Sequence, residues 1–392
     1  MDERNLHIAF VFESDIFDRK GLFNAVHGRI RALLAEGGCT VEAWCIQRRN
    51  GAFLRRRLGG AGQPRIAEQT IDGIRYRLLW YRFSLLDYFC VEYLHLRPFF
   101  FGRFLRRNAP KLRNCDLVSA HSLSGGLLAR ESGIPFFITW HGSDIHTRPA
   151  RNPLVRRETR ALSEAAAGNF YVSEALMAAA APFPGKKFLL RNGVDERFRP
   201  LSEEERKRVR ARLGLPENAR TVAYAGHFFH VKNTLSLPDI WHEVRARWTE
   251  PLLFLLIGDG KEAPQVRARL RADRTLDWID LGNRAPEEMP GLLGCIDVLV
   301  LPSFNEGLPL IAMEARRCGC SVVGARVGGI PEVIGTENCV AHGPEFSTRM
   351  AEKVVDALKA KAAPVEPEAF SWAETARTEL EIYRQWLHSK AK

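Results

Sequence analysis

The sequence lacks the features of a membrane-spanning, exported or disulfide-stabilised protein. Its longest apolar runs, such as Pro251–Ile257, are far shorter than the ~20 residues needed to cross a bilayer. Charged residues precede the strand-like segment Ile8–Phe12, with no apolar signal segment, so we expect no export. The eight cysteines form no CxxC pair and no Cys/His cluster. This spacing favours reduced core thiols over disulfides or a zinc site.

Two further absences narrow the chemistry. The sequence contains no internal repeat, which excludes a solenoid or a propeller. It also contains no Asp-x-Asp pair and no cluster of metal ligands, so we expect a reaction without a metal or other cofactor. In contrast, 57 Lys and Arg residues outnumber 46 Asp and Glu residues, for a net charge of +11. Such an excess favours an anionic partner, whether nucleic acid, anionic lipid or a phosphorylated ligand.

The order of apolar and amphipathic segments predicts two α/β domains. Short apolar runs alternate with longer helical patterns in both halves, as crossover helices covering a parallel sheet require. We predict two doubly wound, Rossmann-like domains at residues 1–195 and 196–369, and a closing helix at 370–392 that returns to the first domain. Ligands bind such sheets at the carboxyl ends of the strands. We therefore expect the active site in a cleft between two facing domains.

The segment Pro302–Ala315 carries the strongest functional signal. It follows an apolar strand and opens a helix, and the free N–H groups of a helix N-terminus form a ready phosphate site. Two carboxylates, Glu306 and Glu314, lie about two helical turns apart. Each glutamate alone is more simply a helix-end or surface charge. A nucleotide sugar nevertheless offers hydroxyl groups at two such depths, on the hexose and on the ribose.

Together with the later segment Gly328–Glu332, this pattern resembles the E-x7-E core of retaining GT-B glycosyltransferases, a family 4-like group also described as glycosyl transferases group 1. The resemblance implies that Glu306 contacts the donor sugar and that Glu314 binds the ribose. It places further donor-binding residues in the same loop, at Asn305, Gly307, Leu308 and Pro309.

The resemblance extends through most of the chain. Relatives grip the diphosphate with an arginine and a lysine in the segment that is Gly226–Asn233 here; Lys232 keeps its place, and His227 replaces the arginine with a group that titrates near neutrality. A solvated lysine is the simpler alternative. Three weaker matches follow in other loops, at Asn283 and Arg284 beside the base, and at Gly21 beside the diphosphate.

A further match falls in the first domain. The segment Thr139–Asp144 follows a predicted strand, and in relatives the histidine at the position of His141 faces the donor sugar. A lone histidine at a strand end is more often structural, but the His-Gly-x-Asp context favours the catalytic interpretation. With Glu306, His141 completes the predicted catalytic pair.

The resemblance implies transfer of a hexose-type sugar from a nucleotide diphosphate donor, with a UDP-sugar favoured. It also implies retention of the anomeric configuration through front-face attack by the acceptor hydroxyl, without a metal. Two alternatives share the donor site. A GT-B-type epimerase would release epimerised donor without an acceptor, and a silent nucleotide-sugar-binding protein would turn over nothing.

The acceptor side is indicated by an aromatic and basic segment, Leu78–Arg113. Aromatic groups beside arginines are typical of peripheral contact with an anionic membrane. This favours a lipid-linked or glycan acceptor at the cytoplasmic face of the cell membrane. Core packing of the aromatics with solvated arginines is the open alternative, and nucleic acid is not expected because no such motif accompanies them. The predicted acceptor or membrane residues are Trp80, Arg82, Arg97, Arg103, Arg106 and Arg107.

Overall fold

The chain folds into two α/β units, seen in a computed structural model that describes residues 5–17, 19, 21–50, 65–360 and 370–391. The N-terminal unit comprises Met1–Gly193 with Trp372–Lys392, and the C-terminal unit comprises Val194–Ser371. Each unit contains one sheet with crossover helices. The predicted fold class, two Rossmann-like domains, is confirmed.

The N-terminal unit is built on an eight-stranded sheet in the order β3-β4-β2-β1-β5-β6-β7-β8. All neighbouring strands run parallel except the β3/β4 pair. The strands are β1 (Leu6–Glu13), β2 (Cys39–Asn50), β3 (Glu68–Ile71), β4 (Ile74–Phe83), β5 (Leu117–His121), β6 (Phe136–Trp140), β7 (Gly168–Tyr171) and β8 (Lys187–Leu189). Most of β1, β5, β6 and β7 is buried, as expected for strands covered by helices on both faces.

Helices connect these strands and cover the sheet. They are α1 (Leu22–Glu36), α2 (Leu85–Glu92), α3 (Phe101–Asn108), α4 (Ser122–Ser132), α5 (Arg148–Arg151), α6 (Pro153–Ala165), α7 (Glu174–Ala179) and the closing helix, which we label α15 (Trp372–Ala391). The closing helix packs against α1 and buries Ala376, Leu380 and Tyr383 in the core that the sheet shares with α1.

The C-terminal unit has a six-stranded sheet in the order β11-β10-β9-β12-β13-β14, in which all pairs are parallel. Its strands are β9 (Arg220–Ala225), β10 (Leu252–Ile257), β11 (Trp278–Gly282), β12 (Val298–Leu301), β13 (Ser321–Ala325) and β14 (Cys339–Val340). Its helices are α8 (Glu203–Leu213), α9 (Leu237–Arg247), α10 (Ala263–Ala272), α11 (Met289–Leu293), α12 (Leu310–Arg317), α13 (Ile330–Ile334) and α14 (Phe346–Lys359).

The strand order reverses once in each sheet. In the N-terminal unit the chain leaves β1 for β2 on one side and later returns to β5 on the other; in the C-terminal unit, β9 lies between β10 and β12 in the same way. At such a switch point the loops after the two central strands diverge to opposite faces and leave a crevice. We therefore expect the functional side chains of the N-terminal unit to follow β1, β5 and β6, and those of the C-terminal unit to follow β9 and β12.

The cysteines and the helices agree with two expectations from composition. All eight cysteines are free, and all but Cys115 are buried. Burial raises the pKa of the Cys45 thiol to about 12, which keeps it protonated and unreactive. Within the described residues, no helix is long and apolar enough to cross a bilayer.

Candidate functional site

In the C-terminal unit, the loops after β9 and β12 bring Lys232 and Glu306 together. Because β9 and β12 are adjacent and parallel, their carboxyl ends meet at one edge of the sheet. The Lys232 Nζ donates to Glu306 Oε1 at 2.7 Å, and Ser303 Oγ donates to the same oxygen at 2.8 Å. Two residues predicted separately for the diphosphate and the donor sugar thus form one ion pair.

The Lys232–Glu306 ion pair is partly exposed to solvent. The two side chains are 29% and 11% exposed, so water reaches the lysine more than the carboxylate. An ion pair at such a partly wet surface contributes little net stability, since desolvation offsets most of the Coulomb attraction. A diphosphate, with its higher charge, could therefore replace the carboxylate as the partner of Lys232 at small cost.

Glycines hold the Glu306 loop in place. A Cβ on Gly328 or Gly329 would collide with the backbone carbonyls of Glu306 and Gly307, and Gly328 has a φ of +49°. The Gly329 N–H donates to the Glu306 carbonyl at 3.3 Å. The Gly-Gly turn after β13 thus packs directly on the Glu306–Gly307 backbone, which gives a structural reason for the pairing of these two motifs.

The remaining predicted residues of this loop lie where α12 begins. Asn305 is half-buried, Gly307 and Leu308 are buried, and Pro309 is the N-cap of α12. No side chain caps this helix end. Its first N–H groups are therefore directed toward the loop, the arrangement that binds phosphate at helix N-termini.

Glu314 lies on α12 in a different environment from Glu306. It is half-buried, and burial, followed by repulsion from Asp195, raises its pKa to about 7. At neutral pH it therefore exists in both protonation states. A protonated carboxyl can donate a hydrogen bond to a hydroxyl group as well as accept one.

His227 and Lys232 belong to one glycine-lined loop after β9. The Gly226 N–H donates to Ile257 O at 3.0 Å, and a Cβ on Gly258 would collide with the Gly226 carbonyl. Tyr224 Oη donates to the carbonyl of His227 at 2.7 Å, and the imidazole stacks on Phe229 at 5.4 Å. The ends of β9 and β10 thus approach through backbone that only glycine allows.

Asn283 and Arg284 follow β11 at the border of the sheet. The Arg284 guanidinium donates to the Leu281 carbonyl at 2.9 Å and approaches Glu288 at 3.3 Å. Asn283 is exposed. These residues are two strands away from Lys232, and their predicted contact with the base remains a prediction.

In the N-terminal unit, His141 pairs with a second histidine. His121 ends β5 and His141 follows β6; His121 Nδ1 and His141 Nε2 are 3.0 Å apart, with one donating to the other, and the rings stack at 5.3 Å. Burial, then the charge of Arg29, lowers the pKa of His141 to about 3, and the pKa of His121 is lowered well below its usual range for the same reasons and by His141. Both imidazoles are neutral at physiological pH.

A buried ion pair lies beneath the two histidines. Arg29 on α1 donates through Nε to Glu379 on α15 at 2.6 Å, and through Nη1 to the Thr139 hydroxyl at 2.9 Å. The Tyr383 hydroxyl donates to Ser119 Oγ at 3.0 Å. Thr139 and Ser119 each precede one of the histidines by two residues. The closing helix is thus joined to the strands that present them.

Beside the first loop of this unit, the carboxylate of Glu13 is held by hydrogen bonds. Gly21 is exposed and is the N-cap of α1, with a φ of +44°. Glu13, at the end of β1, accepts from Tyr81 Oη at 3.0 Å and from Ser124 Oγ. No described contact brings Gly21 to His141, so its predicted role remains a prediction.

His121, Glu13 and Ser303 were not predicted as site residues. A common signal in the sequence indicates them, because each is a polar residue at the end of a buried strand of a parallel sheet or within two residues of it. The structure adds that Ser122, directly after His121, has a φ of +62°, which is rare for a residue with a side chain.

The aromatic and basic segment divides into a buried part and an exposed part. The rings of Tyr81, Phe83, Phe101 and Phe104 are buried, which agrees with core packing. Other apolar side chains are exposed, and we call them the exposed apolar face: Leu85, Leu86, Phe89, Tyr93, Leu94, Leu96, Phe99 and Phe100. Buried Asp87 holds this segment together, since it accepts from the backbone N–H of Ser84 at 2.7 Å and of Phe99 at 2.6 Å.

The six predicted acceptor or membrane residues do not form one group. Arg97 forms an ion pair with Glu158 at 2.6 Å, and Arg106 is exposed on α3. The other four, by contrast, line a single cavity of about 390 Å³ in this unit: Trp80, Arg82, Arg103 and Arg107.

No group of three or more His, Cys, Asp or Glu side chains in the described part of the chain is arranged to hold a metal ion. The reaction without a metal or cofactor remains a prediction.

Comparison with known proteins finds a family match in the C-terminal unit and relatives named as glycosyltransferases. Residues 219–360 match the family described as glycosyl transferases group 1. The D-inositol 3-phosphate glycosyltransferase of Nocardioides sp. is 31% identical over 233 residues, 52% of this chain and 49% of that protein. The putative teichuronic acid biosynthesis glycosyltransferase TuaC of Bacillus subtilis is 25% identical over 246 residues, 61% of this chain and 60% of that protein. The chain spans about half the length of the first of these relatives.

Among solved structures, HepE of Anabaena in complex with UDP and glucose superposes with a TM-score of 0.70 at 18% identity, covering 97% of this chain and 100% of that chain. At this identity the likeness establishes the fold. The chain therefore has the GT-B fold, and its C-terminal unit carries a domain that matches the glycosyl transferases group 1 family.

Proposed function

We propose that this protein is a retaining glycosyltransferase that moves a hexose-type sugar from a UDP-sugar to a lipid-linked or glycan acceptor at the cytoplasmic face of the membrane. The observation that carries the proposal is the Lys232–Glu306 ion pair at the switch point of the C-terminal sheet. It lies inside the matched residues 219–360. The relatives are named as glycosyltransferases, and HepE binds UDP and glucose.

The assignment of a nucleotide diphosphate donor rests on the positive charge of Lys232 and of the N-terminus of α12. On diphosphate binding, Lys232 exchanges its carboxylate partner for phosphate oxygens, and the N-terminus of α12 adds N–H donors. Glu306 is then free to accept from hydroxyl groups of the sugar. Glu314, with its pKa near 7, is suited to the ribose hydroxyls because it can accept or donate.

The proposed chemical step needs no protein nucleophile. The acceptor oxygen attacks the anomeric carbon on the face from which the diphosphate leaves; the bond from that carbon to the diphosphate oxygen breaks, and this oxygen takes the acceptor proton. Lys232 and the α12 terminus stabilise the charge that develops on the diphosphate. We assign neutral His141 to a hydroxyl group of the donor sugar, to which its imidazole can donate or accept a hydrogen bond.

The acceptor assignment rests on the exposed apolar face. Eight large apolar side chains within residues 85–100 are exposed, with Phe99 67% and Tyr93 64% exposed. Contiguous exposure of this kind marks interaction surfaces. Arginines nearby on α3 carry the charge that anionic headgroups attract. We therefore propose contact with an anionic membrane surface and no nucleic acid partner.

The test is nucleotide diphosphate release by the purified chain from UDP-, GDP- and ADP-sugars, with and without a membrane lipid extract. We expect release that requires the extract, is strongest with a UDP-sugar and is lost in Glu306→Gln. The matched control is Glu345→Gln, which removes an exposed carboxylate paired with Arg349 in the same unit. The anomeric configuration of the product, read by NMR, tests retention.

Three other outcomes would contradict the proposal. Conversion of the donor to a free epimer without any acceptor would identify an epimerase. Nucleotide binding without release from any donor would identify a silent binding protein. Equal loss of activity in Glu306→Gln and Glu345→Gln would remove Glu306 from the mechanism.

A further inference from the structure

A cavity of about 390 Å³ in the N-terminal unit is lined by five cationic side chains and no acidic one. Arg65 precedes β3, Arg82 lies at the end of β4, Arg103 and Arg107 lie on α3, and Lys111 follows that helix. Its volume is in the range of small-ligand sites. The cavity is thus a concentration of positive charge within one unit.

In the part of the chain that the structure describes, none of these five cations pairs with a carboxylate. Arginines close to them in the chain are paired: Arg75 with Glu68, Arg77 with Glu42 and Arg97 with Glu158. The sequence of residues 51–64 contains no Asp or Glu either. The cations of the cavity therefore differ from these three paired arginines.

Two observations indicate electrostatic repulsion among or near these cations. Burial, and after it the charge of Arg107, lowers the pKa of Lys111. Arg103 lies in the first turn of α3, where the helix dipole disfavours a cation. Arg106 and Arg107 in the last turn are favoured by that dipole, but Arg103 is not. A fold that needed only solubility would not require this arrangement.

The walls of the cavity are firmly held. The Trp80 indole N–H donates to the Ile66 carbonyl at 2.7 Å, and the Leu78 N–H donates to Ala67 O at 2.8 Å, so the segment before β3 is tied to β4. The Phe104 ring packs on Tyr81 at 5.3 Å, which anchors α3 to the same strand. The backbone that carries Arg82, Arg103 and Arg107 thus belongs to two elements packed on one another.

We infer that this cavity binds a phosphate-bearing ligand, a phosphomonoester or a diphosphate, through Arg82, Arg103 and Arg107. Guanidinium groups match phosphate oxygens with paired N–H donors, and several cations together favour a ligand with more than one negative charge. As the site of the acceptor's phosphate, the inference rests on the proposed function; as a phosphate site it does not. The ligand is either the headgroup of a lipid or a soluble phosphorylated sugar.

The test measures binding of inorganic pyrophosphate to the full chain by calorimetry. The chain carries Lys232→Ala in every case, so that the loop in the C-terminal unit does not contribute. We expect Arg103→Gln with Arg107→Gln to weaken binding about tenfold or more, because charged hydrogen bonds are lost. The matched control is Arg156→Gln with Arg157→Gln, which removes the same charge from exposed positions on α6, outside the cavity. It should change affinity less than about twofold.

A second measurement uses the unsubstituted protein and so does not depend on the variants folding. Phenylglyoxal modifies accessible arginines, and mass spectrometry locates the sites. Pyrophosphate should protect Arg103 and Arg107 but not Arg106. Absence of pyrophosphate binding, equal loss in the two double variants, or equal protection of all three arginines would overturn the inference.

Two further arms identify the source of the phosphate. Flotation with vesicles of phosphatidylcholine, with or without phosphatidic acid, tests a lipid headgroup, and calorimetry with inositol 3-phosphate tests a soluble sugar phosphate. Either ligand supports the site if the cavity variant alone loses binding. Pyrophosphate binding without donor turnover would refute only the proposed function, whereas turnover with unchanged phosphate binding in the cavity variant would refute only this inference.

Discussion

At the switch point of the N-terminal sheet, two neutral histidines stack above a buried ion pair. At the switch point of the C-terminal sheet, by contrast, the Lys232–Glu306 ion pair is partly exposed to solvent. In the first case the charge is beneath the site, where Arg29 and Glu379 are almost completely buried. In the C-terminal unit, the charged side chains of Lys232 and Glu306 themselves form the candidate site. The same α/β architecture thus presents a neutral, rigid surface in one unit and an exchangeable charged one in the other.

The difference follows from the contacts that fix the residues at the switch point of each sheet. The histidine pair is fixed by strands and by the closing helix, which contributes Glu379 and Tyr383. The Lys232 and Glu306 loops are instead fixed by glycine contacts such as Gly328 on the Glu306 carbonyl. Neutral imidazoles suit hydroxyl groups, and a partly exposed lysine suits phosphate. Four tests address this contrast, in order of expected effect.

The largest effect should come from the buried ion pair of the N-terminal unit. Glu379→Leu leaves Arg29 buried without a countercharge, so we expect the free energy of unfolding to fall by about 3 to 5 kcal/mol. Urea denaturation measures it. The control Glu381→Leu changes an exposed carboxylate on the same helix and should cost less than about 0.5 kcal/mol.

The double variant Arg29→Met with Glu379→Leu sharpens this test. It removes both charges and should recover most of the lost stability, since a buried ion pair often contributes little against apolar residues of similar size. If the double variant is as unstable as Glu379→Leu, packing rather than charge dominates beneath the histidines.

The next effect separates binding from turnover in the C-terminal unit. Glu306→Gln releases Lys232 from its carboxylate partner, so UDP affinity should stay the same or rise a few-fold. Turnover should fall about 100- to 1000-fold because a group that acts on the donor sugar loses its charge. Lys232→Met should instead weaken UDP binding about tenfold or more. Calorimetry and product release measure the two quantities; weaker UDP binding in Glu306→Gln would contradict the exchange of partners.

Much of the fold was predictable because buried parallel strands are continuous apolar runs. The apolar runs Leu252–Ile257 and Val298–Leu301, for example, coincide with β10 and β12. Strand β3 was missed because Glu68–Ile71 is short and polar, although the Asp72-Gly73 dipeptide is a strong hairpin signal. Both residues have positive φ, as that turn requires.

The site was less predictable because its pairs join distant segments. Lys232 and Glu306 were each expected at the donor, but their ion pair spans 74 residues and depends on β9 lying beside β12. The arginines of Leu78–Arg113 looked alike in sequence. Only the packing of α3 on β4 separates Arg103 and Arg107, which line the cavity, from Arg97, which is paired.

The third test uses pH in the C-terminal unit. The pKa of Glu314 is raised from 4.5 to about 7, so its contribution to stability is complete below pH 4.5 and is lost as the pH rises through 7. Glu314→Gln does not titrate, and relative to wild type it should gain about 2 to 3 kcal/mol between pH 4.5 and 8.5. Hydrogen exchange with mass spectrometry reports this unit separately. A pH-independent difference would mean that folding does not shift the pKa of Glu314.

The smallest effect should have the opposite sign of pH dependence, in the N-terminal unit. The pKa of His141 is lowered from 6.5 to about 3, so its contribution to stability is complete above pH 6.5 and is lost as the pH falls toward 3. Between pH 7.5 and 5, wild type should lose about 2 kcal/mol more than His141→Gln in peptides of β5 and β6. His388→Gln, on an exposed part of α15, is the control and should match wild type. If acid destabilises both units equally, the contrast between a neutral site and a charged site is wrong. If acid destabilises only the N-terminal unit, the stability of that unit depends on keeping the histidine pair neutral.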